Sequence, residues 1–238
     1  MSRGLPLTLC FDVGGTAIKA LVVGPGGSAA AQGEPVRAPT PRGAGPDALL
    51  GALVQIAAGA GAFDRVAIGF PGVVHDGVTY SAPNLGPGWE GFPLASRAEE
   101  RLGVPVRVAN DADLHGLAVI QGRGVEMLLT LGTGMGSAVY VDGRLVPNLE
   151  LGHHPFGDGR TYEERIADAE LARVGESVWR ERVIETVDQV RRIWNFRKLY
   201  LGGGNARLLR QQDLPDDVRL VDNSAGVRAG VRLFEAKP

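Results

Sequence analysis

Two short glycine-rich segments carry the strongest chemical signal in this sequence. Each follows an apolar run that predicts a strand: Asp12-Val-Gly-Gly-Thr16 and Gly132-Thr-Gly-Met-Gly136. The second segment also suggests a dinucleotide site, but such a site needs a helix directly after the glycines, and a strand is predicted there, as it is after the first segment. Both are therefore predicted hairpin turns, which either only reverse the chain or cradle phosphates with backbone N–H groups and hydroxyls. A third segment, Gly202-Gly-Gly204, favours the phosphate interpretation.

Two carboxylates lie at the ends of predicted strands. A carboxylate repels phosphate, so Asp12 either stabilises its turn or holds Mg²⁺ through water. Asn110-Asp111 joins a strand to a helix, where an acidic residue usually caps the helix. Alternatively, Asp111 accepts the proton of a sugar hydroxyl, because phosphoryl transfer through a loose transition state asks little of its base. Both interpretations of each carboxylate remain open from the residues alone.

The segment Glu150-Leu-Gly-His153 places a carboxylate and an imidazole three residues apart around a glycine. These groups suit the vicinal hydroxyls of a sugar. A metal site formed by Glu150, His153 and His154 is the competing interpretation, although no cysteine cluster or clear fourth ligand accompanies them. Simple surface polarity is the third.

Alternating and continuous apolar runs predict the elements that must position these residues. The predicted strands are Leu7–Val13, Ala17–Val23, a short one near Val36, Arg65–Phe70, Val104–Ala109, Glu126–Leu131, Ser137–Val141, Leu145–Val146, Leu199–Leu201 and Val218–Val221. The predicted helices are Pro46–Ala58, Leu94–Leu102, a helix from Asn110 to near Gln121, Ser177–Trp194 and Ser224–Phe234, with further helix from Thr161. Residues 24–46 are interpreted as a loose hairpin tip, and the stretch from Pro71 to about Gly91 as loop.

A strand, a glycine turn and a second strand occur in that order twice, which indicates two related halves. Hairpins mixed with crossover helices predict an α/β fold. We expect a small N-terminal lobe over residues 1–109, on which a closing helix at 224–238 packs. A large C-terminal lobe is expected over residues 110–223.

Composition excludes several classes of protein. Of the 238 residues, 44% are hydrophobic and 22% charged, with a net charge of −2, so neither a nucleic-acid surface nor an anionic membrane partner is expected. The single cysteine, Cys10, lies in an apolar run and is expected in the core. There is neither a signal-peptide pattern nor an apolar run of about 18 residues, so we expect a cytoplasmic protein.

Six motifs in order resemble one family over nearly the whole chain. They are Asp12-Val-Gly-Gly-Thr16, Phe70-Pro-Gly-Val-Val74, Asn110-Asp-Ala-Asp113, Leu131-Gly-Thr-Gly134, Glu150-Leu-Gly-His153 and Gly202-Gly-Gly204. This set resembles the repressor/open-reading-frame/kinase (ROK) sugar kinases, and within them the polyphosphate glucokinase branch. Four further short segments are similar to that branch: Pro39-Thr-Pro-Arg42, Pro83-Asn-Leu85, Val146-Pro-Asn148 and Asn223-Ser-Ala-Gly226. The resemblance implies the two-lobed, actin-like ATPase (ribonuclease H-like) fold with a central cleft.

The resemblance also implies roles for the matching positions. Asp111 would be the catalytic base that activates the 6-hydroxyl of glucose. The implied sugar-binding residues are Gly72, Asn84, Asn110, Glu150, His153 and Glu164, with Glu163 as the alternative to Glu164. The implied donor-phosphate residues are Asp12, which would meet Mg²⁺ through water, and Gly14, Gly15, Thr16, Lys19, Thr133 and Gly134. Gly203 and Gly204 would approach the nucleoside where ATP is the donor.

Polyphosphate, ATP or both are the implied phosphoryl donors, and a homodimer is the implied assembly. Most members of the family carry a cysteine-rich zinc segment after the Glu-x-Gly-His motif. This chain lacks those cysteines, so no structural zinc is expected. A polyphosphate chain should favour a basic track, for which Arg37, Arg42, Arg160 and Arg165 are candidates. An ATP-dependent kinase for fructose or an N-acetylhexosamine, and a non-catalytic sugar-binding regulator, remain the alternatives.

Overall fold

A computed structural model of the chain describes residues 5–27, 35–222 and 224–234. These residues form two compact units. The first unit contains the described residues up to Ala118 together with those from Ser224 onward, and the second contains those from Val119 to Asp222. In this division the helix that begins at Asp111 lies almost entirely in the first unit.

Two five-stranded sheets form the framework. The strands are, in chain order, β1 (Thr8–Val13), β2 (Ala17–Val23), β3 (Val36–Pro39), β4 (Arg65–Phe70), β5 (Val74–His75), β6 (Val78–Thr79), β7 (Val106–Asn110), β8 (Val125–Leu131), β9 (Met135–Val141), β10 (Arg144–Val146), β11 (Lys198–Gly202) and β12 (Val218–Leu220). The sheet of the first unit has the order β3-β2-β1-β4-β7, and that of the second has β10-β9-β8-β11-β12. In each, the first three strands are antiparallel neighbours and the remaining pairings are parallel. The two predicted related halves therefore share one strand arrangement.

Seven helices among the described residues complete the units. They are α1 (Pro46–Ala58), α2 (Leu94–Leu102), α3 (Asp111–Val119), α4 (Tyr162–Ile166), α5 (Asp168–Val174), α6 (Glu176–Trp194) and α7 (Ser224–Ala229). Proline at its first position and Asp47 in its first turn favour the start of α1. None of these helices combines the length and the apolar character that crossing a bilayer requires.

Alternation along β1 divides the core of the first unit between two faces of the sheet. Leu9, Phe11 and Val13 belong to the large cluster that includes α1 and α2. Cys10 lies between them in sequence and belongs to a smaller cluster with Val227 and residues of the closing segment. Since side chains alternate along a strand, Asp12 points to the same face as Cys10. The core of the second unit gathers residues of β8, β9, β11 and α6.

Three details differ from the sequence-based expectations. The stretch after Pro71 contains the small hairpin β5–β6, whose turn residues Asp76 and Gly77 both have positive φ. The helix α3 ends at Val119 rather than near Gln121. The closing helix ends at Ala229 and continues as a 3₁₀ segment, Gly230–Phe234. Residues 28–34 of the predicted hairpin tip, Asn223, and residues 235–238 of the predicted closing helix lie outside the described residues.

Candidate active site

The first glycine turn is a tight connection between β1 and β2, as predicted. The Gly14 N–H donates to the carbonyl of Ala17 over 2.9 Å. The hydroxyl of Thr40 donates to the Gly14 carbonyl over 2.6 Å, which ties the turn to the residue that follows β3. Gly15 and Thr16 at the tip are exposed. The turn is therefore braced from one side and presents its tip to solvent, as a phosphate cradle requires.

Asp12 forms an ion pair beside this turn. It lies opposite Lys19 in the antiparallel register of β1 and β2, and Lys19 Nζ donates to Asp12 Oδ2 over 3.0 Å. His115 Nε2 lies 3.7 Å from the same oxygen. Burial by itself raises the pKa of Asp12, but His115 and Lys19 together lower it to about 2. The carboxylate is therefore ionised at neutral pH.

Asn110 and Asp111 stand where β7 becomes α3. Asn110 Oδ1 accepts from the Asp113 N–H over 3.1 Å, so Asn110 caps the helix. Its amide Nδ2 donates to the Gly72 carbonyl over 3.1 Å. Asp111 Oδ1 accepts from the neighbouring Ala112 N–H, and the residue is half-buried. The capping interpretation holds for Asn110, and the same bonds fix the position of Asp111.

Two of the implied sugar-binding positions, Gly72 and Asn84, have close backbone neighbours in the first unit. A Cβ at Gly72 would collide with the carbonyl oxygen of Ser81, so only glycine fits there. A Cβ at Gly15 would lie 3.1 Å from Cβ of Asn84. The segment that contains Asn84 therefore packs against the first glycine turn. Within this unit, the fold brings Asn84 to the turn and ties Asn110 to Gly72.

The second glycine turn, Gly132–Gly134, joins β8 to β9, and its Thr133 is exposed. Glu163, on α4, reaches this turn: its Oε2 accepts from the Met135 N–H over 3.0 Å and lies against Gly134. Glu164 makes a different set of contacts. Glu164 is exposed and forms a capping box with Thr161, whose N–H donates to Glu164 Oε2 over 2.8 Å. Of the two acidic neighbours, Glu163 faces the turn and Glu164 caps its own helix.

Glu150 and His153 are held together by a 3₁₀ segment, Leu151–His153, in which the His153 N–H donates to the Glu150 carbonyl over 3.1 Å. Ser137 fixes the backbone on both sides of Glu150. Its hydroxyl donates to the Leu149 carbonyl over 2.6 Å and accepts from the Leu151 N–H over 3.1 Å. Burial raises the pKa of Glu150, His153 opposes that effect, and the nearby Glu163 carboxylate adds to it. The net effect is a raised pKa for Glu150, beside an exposed imidazole.

Gly203 and Gly204 lie beside the second glycine turn. Gly203 has a φ of 90°, and a Cβ there would collide with the backbone of Leu131. Asn205 donates to Asp168 Oδ1 over 2.5 Å, and the Asp168 N–H donates to the Gly132 carbonyl over 2.9 Å. A cavity of about 510 Å³ adjoins the two glycines, and its lining includes Arg207, Leu209, Leu220 and Asp222. Its size is in the range of small-molecule sites.

The arginines proposed for a basic track fall into two groups. Arg160 pairs with Asp158 and with the buried Glu170, and Arg165 pairs with Asp158 and Glu185. Both arginines are therefore engaged in ion pairs within the second unit, where Glu170 also pairs with Arg173 and Arg182. Arg37 and Arg42 are exposed residues of the first unit, and Arg37 lies opposite Lys19 in the register of β2 and β3.

Sequence reasoning missed three residues of this region. His115 stands four residues after Asp111 on a predicted helix, a spacing that places both on one helix face and that could have indicated it. Ser137 and Asp168 carry no comparable signal, because their contacts depend on strand and loop geometry. Among the described residues, no group of three or more His, Cys, Asp or Glu side chains is arranged to hold a metal ion.

The sequence as a whole matches a known family. The model described as ROK family matches residues 8–161. The chain belongs to the ROK family. It is 33% identical to the polyphosphate glucokinase of Mycobacterium tuberculosis over 204 residues, which are 82% of this chain and 76% of that protein. It is 30% identical to the polyphosphate glucokinase of Mycobacterium leprae over 234 residues, covering 91% of this chain and 71% of that protein.

Solved structures agree with this assignment. The chain matches the inorganic polyphosphate/ATP-glucomannokinase of Arthrobacter sp. strain KM with a TM-score of 0.86 and 30% identity, over 97% of this chain and 98% of that one. A ROK family glucokinase from Streptomyces griseus shares the fold, with a TM-score of 0.76 and 21% identity over 95% and 98% of the two chains. The predicted family, the actin-like α/β fold class and the predicted class of enzyme, a sugar kinase, are confirmed.

Proposed function

We propose that this protein transfers a phosphoryl group from polyphosphate, ATP or both to the 6-hydroxyl of glucose, giving glucose 6-phosphate. The observation that carries the proposal lies within the first unit. There, Asn84 packs against the first glycine turn, and His115 lies 3.7 Å from Asp12 on the helix that Asp111 begins. Residues with implied roles toward the sugar therefore adjoin residues with implied roles toward the donor.

Asp111 is the proposed catalytic base. Its carboxylate would take the proton of the 6-hydroxyl as that oxygen forms a bond to the terminal phosphorus of the donor. The bond from this phosphorus to the bridging oxygen then breaks, and the donor leaves one phosphate shorter. An ordinary carboxylate suffices, because positioning and charge neutralisation contribute most of the rate in phosphoryl transfer.

The sugar is assigned to Glu150 and His153, with Asn84, Asn110 and the Gly72 backbone. Glu163 replaces Glu164 in this set, because Glu163 lies against Gly134 and raises the pKa of Glu150, whereas Glu164 caps its own helix. Carboxylates and imidazole bind hydroxyl groups through charge-assisted hydrogen bonds.

The donor phosphates are assigned to the two glycine turns, Lys19 and Thr133, and the nucleoside of ATP to the cavity beside Gly203 and Gly204. The residues of the first turn also suit Mg²⁺. Asp12 offers an ionised carboxylate of 13% exposure, and carboxylate oxygen is a ligand that Mg²⁺ prefers. The ion would meet Asp12 through water and would neutralise phosphate charge as the bond breaks.

The relatives' names favour both donors. The Mycobacterium relatives are named polyphosphate glucokinases, and the Arthrobacter kinase is named an inorganic polyphosphate/ATP-glucomannokinase. We assign the reaction to the cytoplasm and expect a homodimer, the assembly that the family resemblance implies. Light scattering coupled to gel filtration measures that assembly.

The test is product formation by the purified protein with Mg²⁺, one sugar and one donor at a time. The sugars are glucose, mannose, fructose and N-acetylmannosamine, and the donors are polyphosphate, ATP and GTP. The proposal expects the largest kcat/KM with glucose. A higher kcat/KM with another sugar would reassign the acceptor while keeping the kinase. Glucose binding by calorimetry without turnover of any sugar would indicate a sugar-binding regulator instead.

A further inference from the structure

His115 is a half-buried histidine that the proposed reaction does not use. It follows Asp111 by four residues on α3, so the two side chains lie on one face of that helix. α3 packs closely against the sheet at Gly69, where a Cβ would lie 3.1 Å from Leu114 and 3.6 Å from Cα of Asp111. Gly69 is the neighbour of Asp12 in the register of β1 and β4. The glycine therefore lets α3 bring His115 to Asp12.

The imidazole of His115 lies just beyond hydrogen-bond distance from Asp12. Nε2 is buried and makes no hydrogen bond to any residue that the structure describes. Its neighbour is Asp12 Oδ2 at 3.7 Å, on an oxygen that also accepts from Lys19. A movement of about 1 Å would bring this pair to hydrogen-bond length. Leaving a buried donor unsatisfied is costly, so the imidazole favours any position of Asp12 that closes this gap.

The ring has no room to turn away from Asp12 on the side of the closing segment. Gly226 of α7 lies against it, and a Cβ at position 226 would collide with both Cδ2 and Nε2 of His115. Only glycine leaves space for the ring there. The fold therefore holds the imidazole between α7 and Asp12.

We propose that His115 is a positioning residue whose imidazole holds the Asp12 carboxylate at the first glycine turn. Lys19 holds the same carboxylate from the neighbouring strand, so Asp12 lies between two nitrogen-bearing side chains that differ in freedom. Lys19 is a flexible chain on a strand, with a side chain that is 35% exposed, whereas the side chain of His115 is 17% exposed and held by α7. Within the proposed function, on which this inference rests, a displaced Asp12 would weaken the step in which donor charge is neutralised.

Two variants of nearly equal shape test the proposal. His115→Gln keeps an N–H donor near the position of Nε2, whereas His115→Met has similar size and no donor. We expect kcat of the Met variant to fall about tenfold below that of the Gln variant, the effect of one lost charge-assisted contact. The KM for glucose should be similar in both, and so should Tm. Equal kcat values for the two variants, or a lower kcat for the Gln variant, would overturn the proposal.

A second measurement does not depend on activity. In urea unfolding of the wild type, His115→Met, Asp12→Asn and the double variant, we expect coupling between the two positions of about tenfold in the unfolding constant. No coupling would overturn the contact even if the enzyme is active. A wild type that is inactive with every donor would instead defeat the proposed function, while the unfolding cycle would still decide whether His115 holds Asp12.

Discussion

The first glycine turn, at Gly14–Thr16, and the second, at Gly132–Gly134, join the first two strands of sheets that have the same strand order. Their backbones therefore occupy equivalent places. The side chains beside the two turns, however, differ in type. Before the first turn, Asp12 lies opposite Lys19, whereas before the second, Thr130 lies opposite Gly136. The charge at the second turn comes from another element, where Glu163 on α4 reaches back to Gly134 and Met135.

This difference separates what the duplicated backbone supplies from what side chains add. Both turns present N–H groups at a hairpin tip, which suits phosphate in either unit. An ion pair with a cation next to the tip occurs at the first turn, and an acidic pair, Glu150 and Glu163, adjoins the second. The first turn therefore has an ion pair beside its tip, whereas the second has two carboxylates, which suit hydroxyl groups.

The largest effect on turnover is expected at Asp111, which lies in the same unit as the first glycine turn. Asp111→Ala should lower kcat by about 10²–10⁴, the usual contribution of a positioned acid or base. Glucose binding, measured by calorimetry, should largely survive, because the remaining sugar ligands are untouched. The matched control is Asp47→Ala, an exposed acid at the start of α1. An Asp111→Ala protein with normal turnover would remove the assigned base.

A second prediction concerns the start of β8, at the opposite end of the strand from the second turn. Glu126 is fully buried and accepts from the N–H groups of Gln121, Gly122 and Arg123 and from the Tyr200 hydroxyl. Glu126→Gln should lower the free energy of unfolding by about 1.5–3 kcal/mol at pH 7, because it replaces a charged acceptor of several bonds. Glu90→Gln, at an exposed position, is the control.

This loss should depend on pH in a defined direction. Burial opposes ionisation, but the backbone donors and Tyr200 lower the pKa of Glu126 below its ordinary value of 4.5. A lowered pKa stabilises the fold above pH 4.5, and that stabilisation disappears as pH falls further. Urea unfolding of both proteins should show a difference that is constant near neutrality and shrinks below pH 4.5. A difference that grows on acidification would contradict the assignment.

The third prediction separates two neighbouring acids at the second turn. Glu163→Gln should raise the KM for glucose by about tenfold, because a charge-assisted hydrogen bond is lost. It should also move the acidic limb of glucose binding to lower pH, since the Glu163 carboxylate contributes to the raised pKa of Glu150. Glu164→Gln is the matched control and should only weaken the helix cap. A larger effect on KM from Glu164→Gln would restore the original expectation for that residue.

The smallest predicted effects distinguish the two donors. Arg37 extends the row of Asp12 and Lys19 to the edge strand β3, and Arg207 lines the cavity beside Gly203. Arg37→Gln should raise the KM for polyphosphate about threefold and that for ATP less, because a polymer places charge beyond the terminal phosphates. Arg207→Gln should do the reverse. Arg192→Gln, on the exposed side of α6, is the control, and equal effects on both donors would refute the separation.

Most strands and helices could be predicted from the sequence, because hydrophobic periodicity and glycine turns are local signals. Asp142-Gly143 between two apolar runs is a strong hairpin signal, and the pair does form a hairpin, with positive φ at both residues. The same Asp-Gly pair at 76–77 makes the β5–β6 hairpin, but the strands on either side have only two residues each. Such short strands leave no alternation to detect.

The roles of site residues were harder to predict where two residues adjacent in sequence differ only in their tertiary contacts. Glu163 and Glu164 are adjacent acids, and only the capping bonds to Thr161 show which of them is engaged in its own helix. Arg160 and Arg165 are candidates for a basic track, and the acids that pair with them lie 2 to 20 residues away. The role proposed for His115 depends on the close packing at Gly69 and Gly226. Neither hydrophobic periodicity nor a sequence motif links these glycines to His115.

The proposed phosphoryl transfer to glucose can be tested by ³¹P NMR of the purified protein with Mg²⁺, glucose and either polyphosphate or ATP. We expect a growing resonance of glucose 6-phosphate with at least one donor, at the expense of that donor's terminal phosphate, and no such resonance with the Asp111→Ala protein. Phosphate released without sugar phosphate, phosphorylation at another hydroxyl, or equal product from the Asp111→Ala protein would contradict it.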